Sequence, residues 1–124
     1  MSKFVFILGM HRSGTSCLAG SLARCGLHLG DDLFAGRFNT RGYYEQKSVV
    51  RLHDQILGLN RGAWYRLPDR IRVHPYHVQA LKQIADQLSQ HMPCGLKDPR
   101  LVLVLDTWLG LVETPHALVG TFRH

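Results

Sequence analysis

Apolar and polar positions fall into blocks whose periods change along the chain. Phe4-Val5-Phe6-Ile7-Leu8 is an unbroken β-prone run, the pattern of a strand covered on both faces of a parallel sheet. A polar, glycine-bracketed loop follows over residues 9–16. From Thr15 to about Arg24, Leu18, Ala19, Leu22 and Cys25 then recur at helical spacing, with Gly26 placed to end the helix. Residues 27–44, rich in Gly, Asp and Asn, read as a long irregular connection. Over residues 45–59 Val49, Val50, His53, Ile56 and Leu57 form one inner face, and Asn60-Arg61-Gly62 closes the helix. A second loop runs through Trp64 and Pro68. Pro75 then opens an amphipathic helix to about His91, with Val78, Leu81, Ile84, Ala85 and Leu88 as its stripe.

Residues 94–98, ahead of Pro99, read as a short extended segment. Residues 101–111 are apolar nearly throughout, so periodicity does not separate a buried helix from a buried strand. Residues 116–122 read as a last strand. Strands alternating with helices predict an α/β fold in three layers, a mostly parallel sheet flanked by helices, within one domain over residues 1–124. With 45% apolar and 19% charged residues the composition is that of a globular chain.

No apolar run approaches the roughly 20 residues of a membrane span. The N-terminal run is too short for a signal-peptide core, so the expected location is cytoplasmic, with no membrane partner. Fifteen Lys and Arg against nine Asp and Glu give a net charge of +6, which suits an anionic ligand. The cations are scattered and lack an interleaved aromatic platform, which argues against nucleic acid. Cys17 and Cys25, eight residues apart, share a helix face and are expected, with Cys94, to be small buried hydrophobes. The pair His74 and His77 has no Cys or carboxylate beside it to complete a metal shell, so no metal is expected.

The chemistry concentrates in Gly9-Met10-His11-Arg12-Ser13-Gly14-Thr15-Ser16, a strand–glycine loop–helix junction. Its backbone N–H groups and the helix N-terminus converge on one spot where an anion is stabilised, and the Thr15 and Ser16 hydroxyls add donors. A Walker A loop carries Lys directly after its second glycine. Here that position is Thr15, and the basic residue is Arg12, inside the loop.

His11-Arg12-Ser13-Gly14-Thr15-Ser16 resembles the P-[KR]-S-G-T-[TS] loop of sulfotransferases that use 3′-phosphoadenosine 5′-phosphosulfate (PAPS). Three further stretches resemble the bacterial members of that family, in the same order. Asn39-Thr40-Arg41-Gly42-Tyr43-Tyr44-Glu45, followed by Val50-Arg51-Leu52-His53-Asp54, resembles their N-x-x-G-Y-x-E region. Leu96-Lys97-Asp98-Pro99-Arg100 resembles the K-D-P-R element after their second core strand. Val119-Gly120-Thr121-Phe122-Arg123-His124 resembles the strand leading to their 3′-phosphate site.

The resemblance implies a P-loop NTPase-like sulfotransferase fold of which this chain is the N-terminal, incomplete part. It implies PAPS as co-substrate, an acceptor hydroxyl or amine, and no metal. His11, Arg12, Ser13, Gly14, Thr15 and Ser16 would hold the 5′-phosphosulfate, and Arg123 would reach the 3′-phosphate. Arg12 would stabilise charge on the bridging oxygen of the leaving group. Glu45 would act as general base, set against a plain helix-start residue favoured by the macrodipole. His11 and His53 are reserve bases. Lys97, Asp98 and Arg100 would orient the acceptor or brace the loop by ion pairing.

An incomplete sheet exposes an edge, so a homo-oligomer is a further expectation. Two rivals are set beside this reading. One is a nucleotide kinase or NTPase, with residues 101–106 as a Walker B strand ending in Asp106. The other is a non-catalytic remnant acting as a binding or assembly module.

Overall fold

The computed structural model describes residues 3–9, 14–33, 44–62, 66, 68, 70–113 and 115–121. Three strands, β1 (Phe4–Leu8), β2 (Cys94–Lys97) and β3 (His116–Gly120), form an all-parallel sheet in the order β2-β1-β3. Phe4 faces Cys94 on one side and His116 on the other, and the register continues through Ile7 opposite Lys97 and Leu8 opposite Gly120. The four helices are α1 (Thr15–Arg24), α2 (Lys47–Leu59), α3 (Pro75–Ser89) and α4 (Leu101–Leu111).

Alternation along β1 separates the two faces of the sheet. Phe4, Phe6 and Leu8 pack with Val49 and Ile56 of α2, Leu81, Ala85 and Leu88 of α3, and Leu101, Val104 and Trp108 of α4. Val5 and Ile7 point the other way, onto Leu18, Ala19 and Leu22 of α1 and onto Leu27 and Leu29. The architecture is therefore an open parallel sheet with helices on both faces.

The local signals that set the helix limits are visible in the chain. Gly26, at φ 102°, lies one residue past the C-cap Cys25 of α1. Leu27 N–H donates to the Leu22 carbonyl and Gly26 N–H to that of Ala23, the paired bonds of a Schellman ending that glycine makes without a steric cost. Pro75 occupies the first turn of α3, and the His74 ring accepts from Tyr76 N–H. The α2 start is capped from elsewhere in the chain: Asp32 accepts from Lys47 N–H through its carbonyl and from Ser48 N–H through Oδ2.

Several expectations need correction. Residues 101–111, open between helix and strand in the sequence, form helix α4. Eleven residues exceed an ordinary strand, and the buried positions Leu101, Val104 and Trp108 recur at helical spacing. Asp106 is exposed on that helix, so the Walker B reading of this segment fails. Cys17 and Cys25 share a face as expected, but it is the solvent face, and only Cys94 is buried. The burial of α1 falls instead on Thr15 and Ala19. The first part of the long connection is ordered against the sheet: His28 bridges Cys94 beside β2, with Gly95 N–H donating to the His28 carbonyl. Helix α2 begins at Lys47, two residues after Glu45.

A buried ionic cluster at the strand ends

The carboxyl ends of β1 and β2 open onto the start of α1, which is where ligand crevices form in open α/β sheets. Gly14 is the N-cap of α1 at φ 92° and, having no side chain, makes no side-chain cap. The left-handed conformation is costly for any residue with a Cβ, which explains the glycine. The N–H groups of the first turn consequently have no intrahelical acceptor. Thr15 is buried within that turn. His11, Arg12 and Ser13 lie outside the described residues, as does Arg123.

Lys97 ends β2 with its side chain buried, and its ammonium donates to Ser16 Oγ at 3.1 Å. The same ammonium stands 3.5 Å from Glu45 Oε2. Two segments separated by most of the chain therefore meet at one hydroxyl. Ser16 Oγ accepts from Lys97, so its own O–H is not used in that bond.

Beyond Lys97 the chain turns sharply. Leu101 N–H donates to the Asp98 carbonyl, and Pro99, whose φ is preset for such a turn, occupies its second position. Asp98 is almost wholly buried and uses both of its oxygens. Oδ1 accepts from Arg100 N–H at 3.3 Å and from the Arg100 guanidinium at 2.7 Å. Oδ2 lies 2.6 Å from His53 Nδ1. Arg100 also donates through Nε to Asp54 Oδ1 at 2.8 Å, and Nη1, the nitrogen bonded to Asp98, approaches Glu45 Oε1 at 4.0 Å.

Behind this cluster, Trp108 Nε1 donates to His53 Nε2 at 2.9 Å. An indole N–H can only donate, so Nε2 is an acceptor and the His53 proton sits on Nδ1, directed at Asp98. His53 and Trp108 are both fully buried and meet edge to face.

The electrostatics follow from this packing. Burial raises the Glu45 carboxyl above its ordinary value, and Lys97 and Arg100 only partly offset it against the further push of Asp98. Burial likewise lowers the Lys97 ammonium, opposed by Glu45 and Asp98. For Asp98 burial alone would act upward, but the His53 hydrogen bond and the Arg100 guanidinium outweigh it and hold the carboxyl low. Lys97 and Arg100 face Glu45, Asp98 and Asp54, so these side chains together are not a positive well.

Of the residues singled out in the sequence, the structure gathers Ser16, Glu45, Lys97, Asp98 and Arg100 into one cluster. His53, a reserve base, belongs to it as a buried partner of Asp98. Asp54 and Trp108 complete the cluster and carried no role in the sequence reading. A signal for the Trp108–His53 contact was present: an imidazole on the apolar face of α2 and a buried indole each need a hydrogen-bond partner. Among the described residues no group of three or more His, Cys, Asp or Glu side chains could hold a metal, and no helix is long and apolar enough to cross a membrane. No protein-family model, curated protein or solved structure matches the chain.

Proposed function

We propose that the chain binds the 5′-phosphosulfate end of PAPS at the residue 9–16 loop and serves sulfuryl transfer to an acceptor hydroxyl or amine. This is the activity of the sulfotransferases that its four ordered motifs resemble, on a P-loop-like fold. The observation that carries the proposal is the hydrogen bond from Lys97 to Ser16 Oγ. It joins the loop motif to the K-D-P-R motif beside a helix start whose first-turn N–H groups have no intrahelical acceptor. A parallel sheet ending at that point favours the same site.

In the proposed reaction the acceptor oxygen or nitrogen forms a bond to sulfur as the bond from sulfur to the bridging oxygen breaks. Adenosine 3′,5′-bisphosphate leaves, and the acceptor proton passes to Glu45. Transfer of this kind asks for positioning and charge stabilisation more than covalent chemistry. Arg12 meets the charge on the departing oxygen, Lys97 and Ser16 line the floor of the site, and Arg123 meets the 3′-phosphate. Burial of Glu45 raises its carboxyl, which favours proton acceptance nearer neutral pH. The kinase or NTPase alternative loses its Walker B strand to helix α4. The binding-module alternative differs only in lacking turnover.

Calorimetric titration with adenosine 3′,5′-bisphosphate, without magnesium, tests the binding step. Saturable binding by the wild type is expected, weakened in Arg12→Ala by about 1.5–3 kcal/mol, the scale of a charge-assisted hydrogen bond. Equal binding by the two proteins would remove Arg12 from the site. Transfer of radiolabelled sulfate from PAPS to a panel of acceptors then separates an enzyme from a binding module.

A further inference from the structure

We infer that His53 is a positioning residue for the anion site: it holds Asp98, and through Asp98 the guanidinium of Arg100, in one fixed orientation. The inference rests on the proposed function for its ligand, but its geometry is independent of that ligand. His53 is 1% exposed and lies between two partners of opposite kind. Trp108 donates to Nε2, which leaves Nδ1–H no choice but to donate, and Asp98 Oδ2 receives it at 2.6 Å. With Oδ2 held in this way, Oδ1 faces Arg100 and accepts from both its backbone N–H and its side chain. The second anchor of Arg100, Asp54, is the residue after His53 on the same helix. One turn of α2 thus holds the guanidinium at Nε directly, through Asp54, and at Nη1 by way of Asp98, and Nη1 approaches Glu45 beside Lys97.

A side chain that merely filled the core would not need this polarity. Trp108 supplies the donor that selects the His53 tautomer, and the tautomer selects which Asp98 oxygen is left for Arg100. The arrangement corresponds to the outer-shell hydrogen bonding that orients a working charge without touching its ligand. His53 therefore acts through Asp98, and not as a base.

Two isosteric substitutions separate positioning from packing. In His53→Asn the amide nitrogen takes the place of Nδ1 and still donates to Asp98, while Trp108 loses its acceptor. In His53→Gln the amide oxygen reaches the Nε2 position and still accepts from Trp108, while Asp98 loses its donor. Each variant gives up one buried hydrogen bond, so their thermal stabilities should fall together.

Titration with adenosine 3′,5′-bisphosphate should give His53→Asn an affinity within about threefold of wild type. His53→Gln should be weaker by about tenfold or more, the scale of one lost hydrogen bond to a charged group. Equal losses in both variants, or losses that track the melting temperature, would overturn the inference. Nitrogen NMR of the ligand-free proteins gives a second arm. The His53 ring should be protonated at Nδ1 alone, and the Arg100 Nη1 protons, which bond Asp98, should exchange slowly in wild type and His53→Asn and faster in His53→Gln. A ring protonated at Nε2, or equal Arg100 exchange in the three proteins, would also overturn it. If the wild type fails to bind the bisphosphate, the proposed function fails, and the NMR arm alone decides the role of His53.

Discussion

Strands β2 and β3 both lie parallel to β1, one on each side, yet they meet different surroundings. All four residues of β2 are buried, including the charged Lys97 at its end, and the chain continues into a turn whose carboxylate is paired twice. In β3 no residue is fully buried, and Leu118 is 49% exposed. The backbone pairing is alike, so the difference comes from what covers the strands. Helices α2, α3 and α4 converge over β1 and β2 and supply His53, Asp54 and Trp108 as partners for the charges. Buried charge persists where every polar atom finds a partner. The candidate site is built on the side of the sheet that is packed well enough to hold such groups still.

Breaking a pair on the β2 side should produce the largest effect. Asp98→Ala leaves the His53 Nδ1–H and one branch of Arg100 without acceptors, and should cost about 3–5 kcal/mol in chemical denaturation. Leu96→Ala, in β2 itself, should cost about 2–5 kcal/mol by opening a cavity between the layers. Trp108→Phe keeps most of the ring packing and removes the donor to His53, for a loss of about 1–3 kcal/mol.

Acid sharpens the comparison. The Asp98 carboxyl is held below its ordinary range, so its pairs add stability that is fully present above about pH 4, the ordinary aspartate value. That stability drains away as pH falls through the depressed value in the folded state. Denaturation profiles recorded at successively lower pH should therefore lose stability below about pH 4 in the wild type. In Asp98→Asn the slope should be shallower. The smallest effect belongs to β3, where Leu118→Thr should change stability by no more than about 0.5 kcal/mol. A loss several times larger would show that β3 is as well covered as β2.

The contrast was only half legible in the sequence. The strand β1, the helix α1 with its glycine ending, the inner face of α2 and the proline start of α3 follow from period and capping signals, and they appear where those signals place them. Helix α4 was open because an apolar run carries no period to choose between helix and strand. The exposure of Cys17 and Cys25 shows the matching limit: spacing says that two residues share a face, but not which face the sheet takes.

The site was legible as separate motifs. Ser16, Glu45, Lys97, Asp98 and Arg100 were each marked by type and position, yet their pairing depends on the turn after β2 and on how α2 crosses it. The placement of Glu45 ahead of α2, facing Lys97, could not be read from a helix period. Asp54 and Trp108 entered only through contacts more than forty positions apart in the chain.

The central claim, that this site receives a phosphosulfate nucleotide and not a magnesium–triphosphate, is tested most directly by paired titrations of the wild-type protein. Adenosine 3′,5′-bisphosphate without metal and ATP with magnesium would be measured under the same conditions. The account predicts saturable binding of the bisphosphate and none of the magnesium–ATP complex up to millimolar concentrations. Binding of magnesium–ATP with no response to the bisphosphate would contradict it.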